Sequence, residues 1–254
     1  MLKKRIIPIQ LLMDGRLVKT RRFLNWRDVG DPVKSSAVYN SQYADELIFL
    51  NISRQSRSID DLKRVIAAVS KVSFMPIAMG GGIQTASDAA ELILTGADKI
   101  VVNTVAYRNM RIISETADRF GAQAVVASVD ALRDEHTGEY CLMSDRGERR
   151  EFVTLETHVR SLISAGAGEI MIQSIDRDGM MIGYDIDLVR RVTAISTIPV
   201  IAAGGSGNYH HLKSLFETTN VSAAACGSLF NFSDSNPIRA KAFLTNYGIP
   251  FKVV

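Results

Sequence analysis

The residues best placed to do chemistry stand where short apolar runs stop. Residues 76–83 are apolar until Gly80, Gly81 and Gly82, and a polar turn and a helix pattern over 86–94 follow. Glycines after a strand let backbone N–H groups approach an anion, and the next helix N-terminus adds positive dipole. The chemistry implied is phosphate binding. Residues 199–207 repeat the device with Gly204, Gly205 and Gly207: Pro76 to Pro199 and Gly82 to Gly205 are both steps of 123. Each segment leads through a helix pattern to a second apolar run that ends in groups able to bind an oxygen. These are Asn103 and Thr104 in the first case, Gly227 and Ser228 in the second. The step from Thr104 to Ser228 is 124, so one loop carries an insertion. A repeat of half the chain means two similar halves, each with an anion site. The ligand would then carry two phosphates, unless only one site survives.

Asp130 ends the apolar run 125–130. Partial burial would raise its pKa and suit it to general acid or base work; capping a loop is an equal alternative. Asp176, Asp178 and Gly179 follow the run 169–174. At the opposite ends, Arg5, Glu46, Lys99 and Glu169 begin the first, second, fourth and sixth runs. Each alone is ordinary solvated charge, but two of each sign could close a ring.

The elements that must position these groups alternate. Apolar strands are expected over 5–12, 46–51, 76–80, 99–102, 125–130, 169–174, 199–203 and 223–226. Helices are expected over 33–42, 59–72, 86–94, 110–120, 154–165, 185–195 and 237–246, with a further helix pattern opened by His210 and His211. Residues 20–32 read as a polar loop in which Phe23 and Trp26 anchor it or stack on a ligand. Residues 133–150 read as an inserted hairpin with turns at Thr137-Gly138 and Arg146-Gly147. Thr154 and Thr157 are candidate caps. Strands apolar on both faces and alternating with helices specify a parallel (β/α)8 barrel, with chemistry at the C-terminal strand ends.

Composition agrees with one barrel domain over 1–254. The chain has 254 residues, 46% hydrophobic and 22% charged, and a net charge of +3, too small to argue for nucleic acid. Cys141 and Cys226 give neither metal spacing nor a disulfide framework, which points to a reducing cytosol. No signal peptide and no bilayer-spanning run are read. The histidines lack partner ligands, so no metal site is expected, and Met79, Met171, Met180 and Met181 read as packing.

Ten short strings now converge. Among them are Arg5-Ile6-Ile7-Pro8, Asp14-Gly15-Arg16, Gly30-Asp31-Pro32, Gly80-Gly81-Gly82-Ile83, Gly166-Ala167-Gly168-Glu169 and Ser174-Ile175-Asp176-Arg177-Asp178-Gly179. From Leu2 to about Phe232 the chain closely resembles the cyclase subunit of imidazole glycerol phosphate synthase. The resemblance implies a (β/α)8 barrel made of two half-barrels, with no cofactor. It implies a ligand with two phosphates at the C-terminal face and a glutamine amidotransferase partner at the N-terminal face. The partner's ammonia would pass through the barrel. The family's phosphate residues fall on Gly82, Asn103 and Thr104 in one half, and on Asp178, Gly179, Gly205, Gly227 and Ser228 in the other. Its ammonia gate falls on Arg5, Glu46, Lys99 and Glu169, and its active-site loop lysine on Lys19.

Two positions depart from the family. One of its catalytic aspartates is Asp130; the other falls on Leu11, which has no proton to move. Asn51 stands where an aspartate is usual. The retained gate with damaged cyclase chemistry implies that ammonia reaches a different acceptor. The chain also resembles barrels associated with surface-glycan amidation, where an acetamido group becomes acetamidino. The other readings are a cyclase of histidine biosynthesis that works with Leu11, and a non-catalytic activator of the glutaminase.

Overall fold

Strands of Ile, Val, Leu and Ala with no polar face must be buried on both sides, and the barrel supplies both. The computed structural model describes residues 3–53 and 58–252; Leu2 and the two ends of the 1–254 span lie outside them. Eight parallel strands close on themselves. They are β1 (Arg5–Met13), β2 (Leu47–Asn51), β3 (Ile77–Gly80), β4 (Lys99–Val102), β5 (Val125–Arg133), β6 (Glu169–Ser174), β7 (Val200–Ala203) and β8 (Ala223–Cys226). The closing pair sets Arg5 of β1 against Ala223 of β8. The expected parallel barrel is therefore what forms.

Alternation along the strands sorts the apolar side chains into two cores. Ile7, Ile48, Val101 and Met171 belong to the inner cluster that fills the barrel. Each stands two residues beyond one of the four charges at the strand starts. Ile6, Leu47, Ile100 and Ile170 point outward into the second core, beneath the helices.

The helices are α1 (Pro32–Ser41), α2 (Asp60–Val69), α3 (Ala86–Thr95), α4 (Arg111–Phe120), α5 (Leu155–Ser164), α6 (Ile186–Ile195), α7 (Tyr209–Thr218) and α8 (Pro237–Thr245). Their starts are set by side chains that take the first free amides. Thr85 and Asp88 form a reciprocal capping box on α3. Asp31, Thr154, Asp185 and Asn208 cap α1, α5, α6 and α7. Of the two candidate caps on α5, Thr154 fills the role, accepting from the Thr157 amide.

The expected loop over 20–32 is a correction. Arg16–Arg21 and Leu24–Gly30 form an antiparallel hairpin that folds back on β1, with Leu11 opposite Val18. The hairpin expected over 133–150 is present: Tyr140–Ser144 pairs with the extended end of β5, and Arg149–Glu151 pairs with Tyr140–Ser144. A single helical turn, Ser228–Asn231, follows β8 and was not expected.

Candidate active site

Both hairpins rise from C-terminal strand ends and wall a cavity of about 440 Å³. Its floor and sides include Leu11, Asn51, Gly81, Gly82, Asn103, Thr104, Asp130 and Gln173, and Phe23 and Trp26 close over it. Asp130 lies inside β5 rather than at its end, because pairing with Met143 carries the strand onward. It is buried, and the Asn103 Nδ2–H donates to its Oδ2 at 2.8 Å. Burial pushes the Asp130 carboxyl up to about 7, against the Asn103 hydrogen bond, and the charge of Asp178 adds to the rise. A carboxyl that titrates near neutrality can give or take a proton there. Leu11, which lines the same cavity from β1, can do neither.

The two glycine segments occupy equivalent places. Gly81 and Gly82 have φ of 90° and 80°, and Gly204 and Gly205 have φ of 88° and 110°. A Cβ on Gly81 would run into the Asn51 carbonyl at the end of β2, and one on Gly204 would stand 2.6 Å from the Ser174 carbonyl at the end of β6. The first set, with Asn103 and Thr104, shares the cavity with Asp130. The second set does not line it. Gly205 packs on Gly183, and Ser228 is buried at the start of the turn after β8.

Lys19 stands beside the second set. It lies on the Arg16–Arg21 strand with its amine turned inward and buried, donating to the Ile9 carbonyl at 2.7 Å. A Cβ on Gly227 would collide with that amine, so the glycine makes room for it. Burial lowers the Lys19 pKa to about 8, opposed by the charge of Asp178. Asp178 itself holds the hairpin: its Oδ2 accepts from Thr20 Oγ1 at 2.7 Å and from the Phe23 amide at 3.3 Å. Gly179 lets the same hairpin approach, because a Cβ there would meet the Thr20 carbonyl. In this structure Asp178 and Gly179 position the hairpin.

At the other end the four charges close into a ring. Arg5 Nη1 bonds Glu46 Oε2 at 2.9 Å and Arg5 Nη2 bonds Glu169 Oε2 at 2.6 Å. Lys99 Nζ reaches Glu46 Oε2 at 2.8 Å and Glu169 Oε1 at 2.6 Å. Burial raises the Glu46 pKa despite both cations, and Glu46 Oε1 has no partner. Burial also works against the Glu169 charge, but Arg5 and Lys99 outweigh it and hold that carboxyl below its usual range.

The profile of the family described as histidine biosynthesis protein matches residues 5–236. The chain belongs to that family. Within it, the chain is 39% identical over 253 residues to the imidazole glycerol phosphate synthase subunit HisF of Caulobacter vibrioides, covering 100% of this chain and 97% of the relative. It is 36% identical over 249 residues to the same subunit of Staphylococcus carnosus, with 98% of each chain covered. The same subunit of Leuconostoc mesenteroides is 38% identical over 252 residues, 99% of each. The family match together with these HisF relatives bears out the resemblance to imidazole glycerol phosphate synthase. These names carry nothing of glycan amidation, so that expectation gains no support and the cyclase reading is the better supported.

Among the described residues no helix is long and apolar enough to cross a membrane, and no group of His, Cys, Asp and Glu is placed to hold a metal ion. The sequence did not single out Gln173 and Ser128, which line the cavity from β6 and β5, or the side chain of Arg146. In sequence, Arg146 reads as half of the turn pair Arg146-Gly147. The signal available was an arginine directly before Gly147 in a segment bound to fold over the strand ends.

Proposed function

We propose that this chain is the cyclase subunit of an imidazole glycerol phosphate synthase. A glutaminase docks at the N-terminal face, its ammonia passes the Arg5–Glu46–Lys99–Glu169 ring, and a ligand with two phosphates reacts at the C-terminal face. The observation that carries the reading is one axis through the barrel: a closed ring of four charges, an apolar interior above it, and Asp130 beyond. Gly82, Asn103 and Thr104 hold one phosphate; Gly205, Gly227 and Ser228, with Gly179 nearby, hold the other beside the Lys19 amine. Asp130 moves the proton.

One observation favours a second reading. Leu11 and Asn51 line the cavity where the family carries aspartates, so among the described lining residues Asp130 is the single carboxylate. On this reading the barrel still receives ammonia but passes it to another acceptor, such as the acetamido group of a sugar.

Ammonia-dependent turnover of the bisphosphate substrate, measured for the natural protein and its Leu11→Asp variant, separates the two. Ready turnover by the natural protein establishes the cyclase and shows that Asp130 suffices. An inactive natural protein with activity gained by Leu11→Asp overturns the cyclase reading and leaves the conduit.

A further inference from the structure

Among the described residues, two that line the cavity are ionisable, Asp130 and Arg146, and the reaction proposed above gives Arg146 no task. The backbone holds it in an unusual state. Asp145, Arg146 and Gly147 have φ of 48°, 64° and 83°, a left-handed run in which only the last residue is a glycine. Such conformations persist where surrounding contacts over-determine them. Here the Asp145 amide donates to Thr104 Oγ1 at 2.9 Å, and Arg108 Nη2 binds Asp145 Oδ2 at 2.7 Å. Phe23 packs over Gly147. The turn is thus tied directly to Thr104, one of the residues assigned to the first phosphate.

The side chain then crosses the cavity mouth. Arg146 Nη1 donates to the Ser53 carbonyl at 2.9 Å, just past the end of β2, while Nε is buried with no partner. A buried N–H without an acceptor asks for one. The surroundings favour an anion there: Leu11 and Asn51 are neutral, and Asp130, pushed up to about 7 by burial, only partly offsets the guanidinium. Planar, forked N–H groups match phosphate oxygens better than any other side chain does.

We propose that Arg146 is a specificity-determining residue of the first half-site, supplying a fixed guanidinium to the phosphate held by Gly82, Asn103 and Thr104. The proposal rests on reading those three residues as an anion site. It does not depend on which acceptor the ammonia reaches.

The test is titration with inorganic phosphate at constant ionic strength, followed by the backbone amide signals of Gly82 and Thr104. The natural protein shows saturable shifts at both. Arg146→Gln weakens phosphate binding at these amides at least tenfold, and Arg146→Lys recovers part of the loss. Arg146→Gly serves as the folding control, since glycine suits φ of 64°: it melts no lower than the natural protein yet binds phosphate as weakly as Arg146→Gln. Unchanged phosphate affinity in Arg146→Gln and Arg146→Gly overturns the proposal, as does a natural protein whose Gly82 and Thr104 signals ignore phosphate. Binding needs no turnover, so failure of the cyclase reading leaves this result standing.

Discussion

Asn103 and Asp130 are joined across 2.8 Å, the amide Nδ2–H of one donating to the carboxylate of the other. The bond ties the anion-binding end of β4 to the proton-moving group of β5. It also favours the charged form of Asp130, while burial and the charge of Asp178 favour the neutral form. Replacing Asn103 by Leu therefore moves the Asp130 titration upward from about 7. The carboxyl carbon signal of Asp130, followed by NMR across pH 4–10, reads this directly. A titration that stayed put in Asn103→Leu would show that the hydrogen bond does not tune the group.

The same carboxyl makes stability depend on pH. Its folded pKa, about 7, lies above the unfolded value of 3.8. Below the unfolded value both states carry the proton and nothing is lost. Between the two values the folded chain keeps a proton that the unfolded chain has released, so stability falls as pH rises. The fall is at most about 1.4 kcal/mol per pH unit, and above the folded value it stops. Asp130→Asn has no such fall. Its melting temperature relative to the natural protein climbs between pH 4 and 7 and then levels off. On the cyclase reading its ammonia-dependent turnover drops by about 10²–10⁴-fold, the usual loss for a removed acid or base.

Much of the barrel was legible because its strands carry no polar face, and the charges at the strand starts were legible as types. Their balance, two of each sign at the strand starts, already suggested a ring; which cation reaches which carboxylate was not legible, because that is a property of strand spacing and barrel tilt rather than of any local sequence. The hairpin over Arg16–Arg21 and Leu24–Gly30 was missed for a different reason. Its turn places Arg22 and Phe23 at φ of 50° and 63° with no glycine, so the usual hairpin signal is absent. Its outer strand is largely exposed, Leu24 and Trp26 included, and what holds it is pairing to β1 through the inner strand. Arg146 was missed because the left-handed turn that aims it also departs from residue preference.

The ring predicts an asymmetry between single and paired substitutions. Lys99 and Glu46 are nearly buried, with side-chain exposures of 14% and 3%. Removing one partner leaves a buried charge uncompensated, which typically costs about 3–5 kcal/mol, whereas removing a pair is often close to neutral. Lys99→Met is thus strongly destabilising in chemical denaturation. The double variant Lys99→Met/Glu46→Leu, which keeps the Arg5–Glu169 pair, recovers at least half of that loss. Additive losses would show that the four groups do not act as one network.

The hairpin over the cavity rests on Gly179. Thr20 and Phe23 donate to Asp178, the Arg22 amide donates to the Asp178 carbonyl at 2.9 Å, and Gly179 has φ of 68° with the Thr20 carbonyl where its Cβ would be. An added methyl therefore pushes the hairpin off its anchor. Backbone strain alone is controlled by Gly138, which has a similar φ of 72° and open space around it. Gly179→Ala speeds tryptic cleavage after Arg21 and Arg22 several-fold and shifts the emission of Trp26, the one tryptophan in the chain, to longer wavelength. Gly138→Ala does neither. Were the two variants cleaved alike, strain rather than the lost approach to Thr20 would account for the effect, and Gly179 would have no part in seating the hairpin over Asp130.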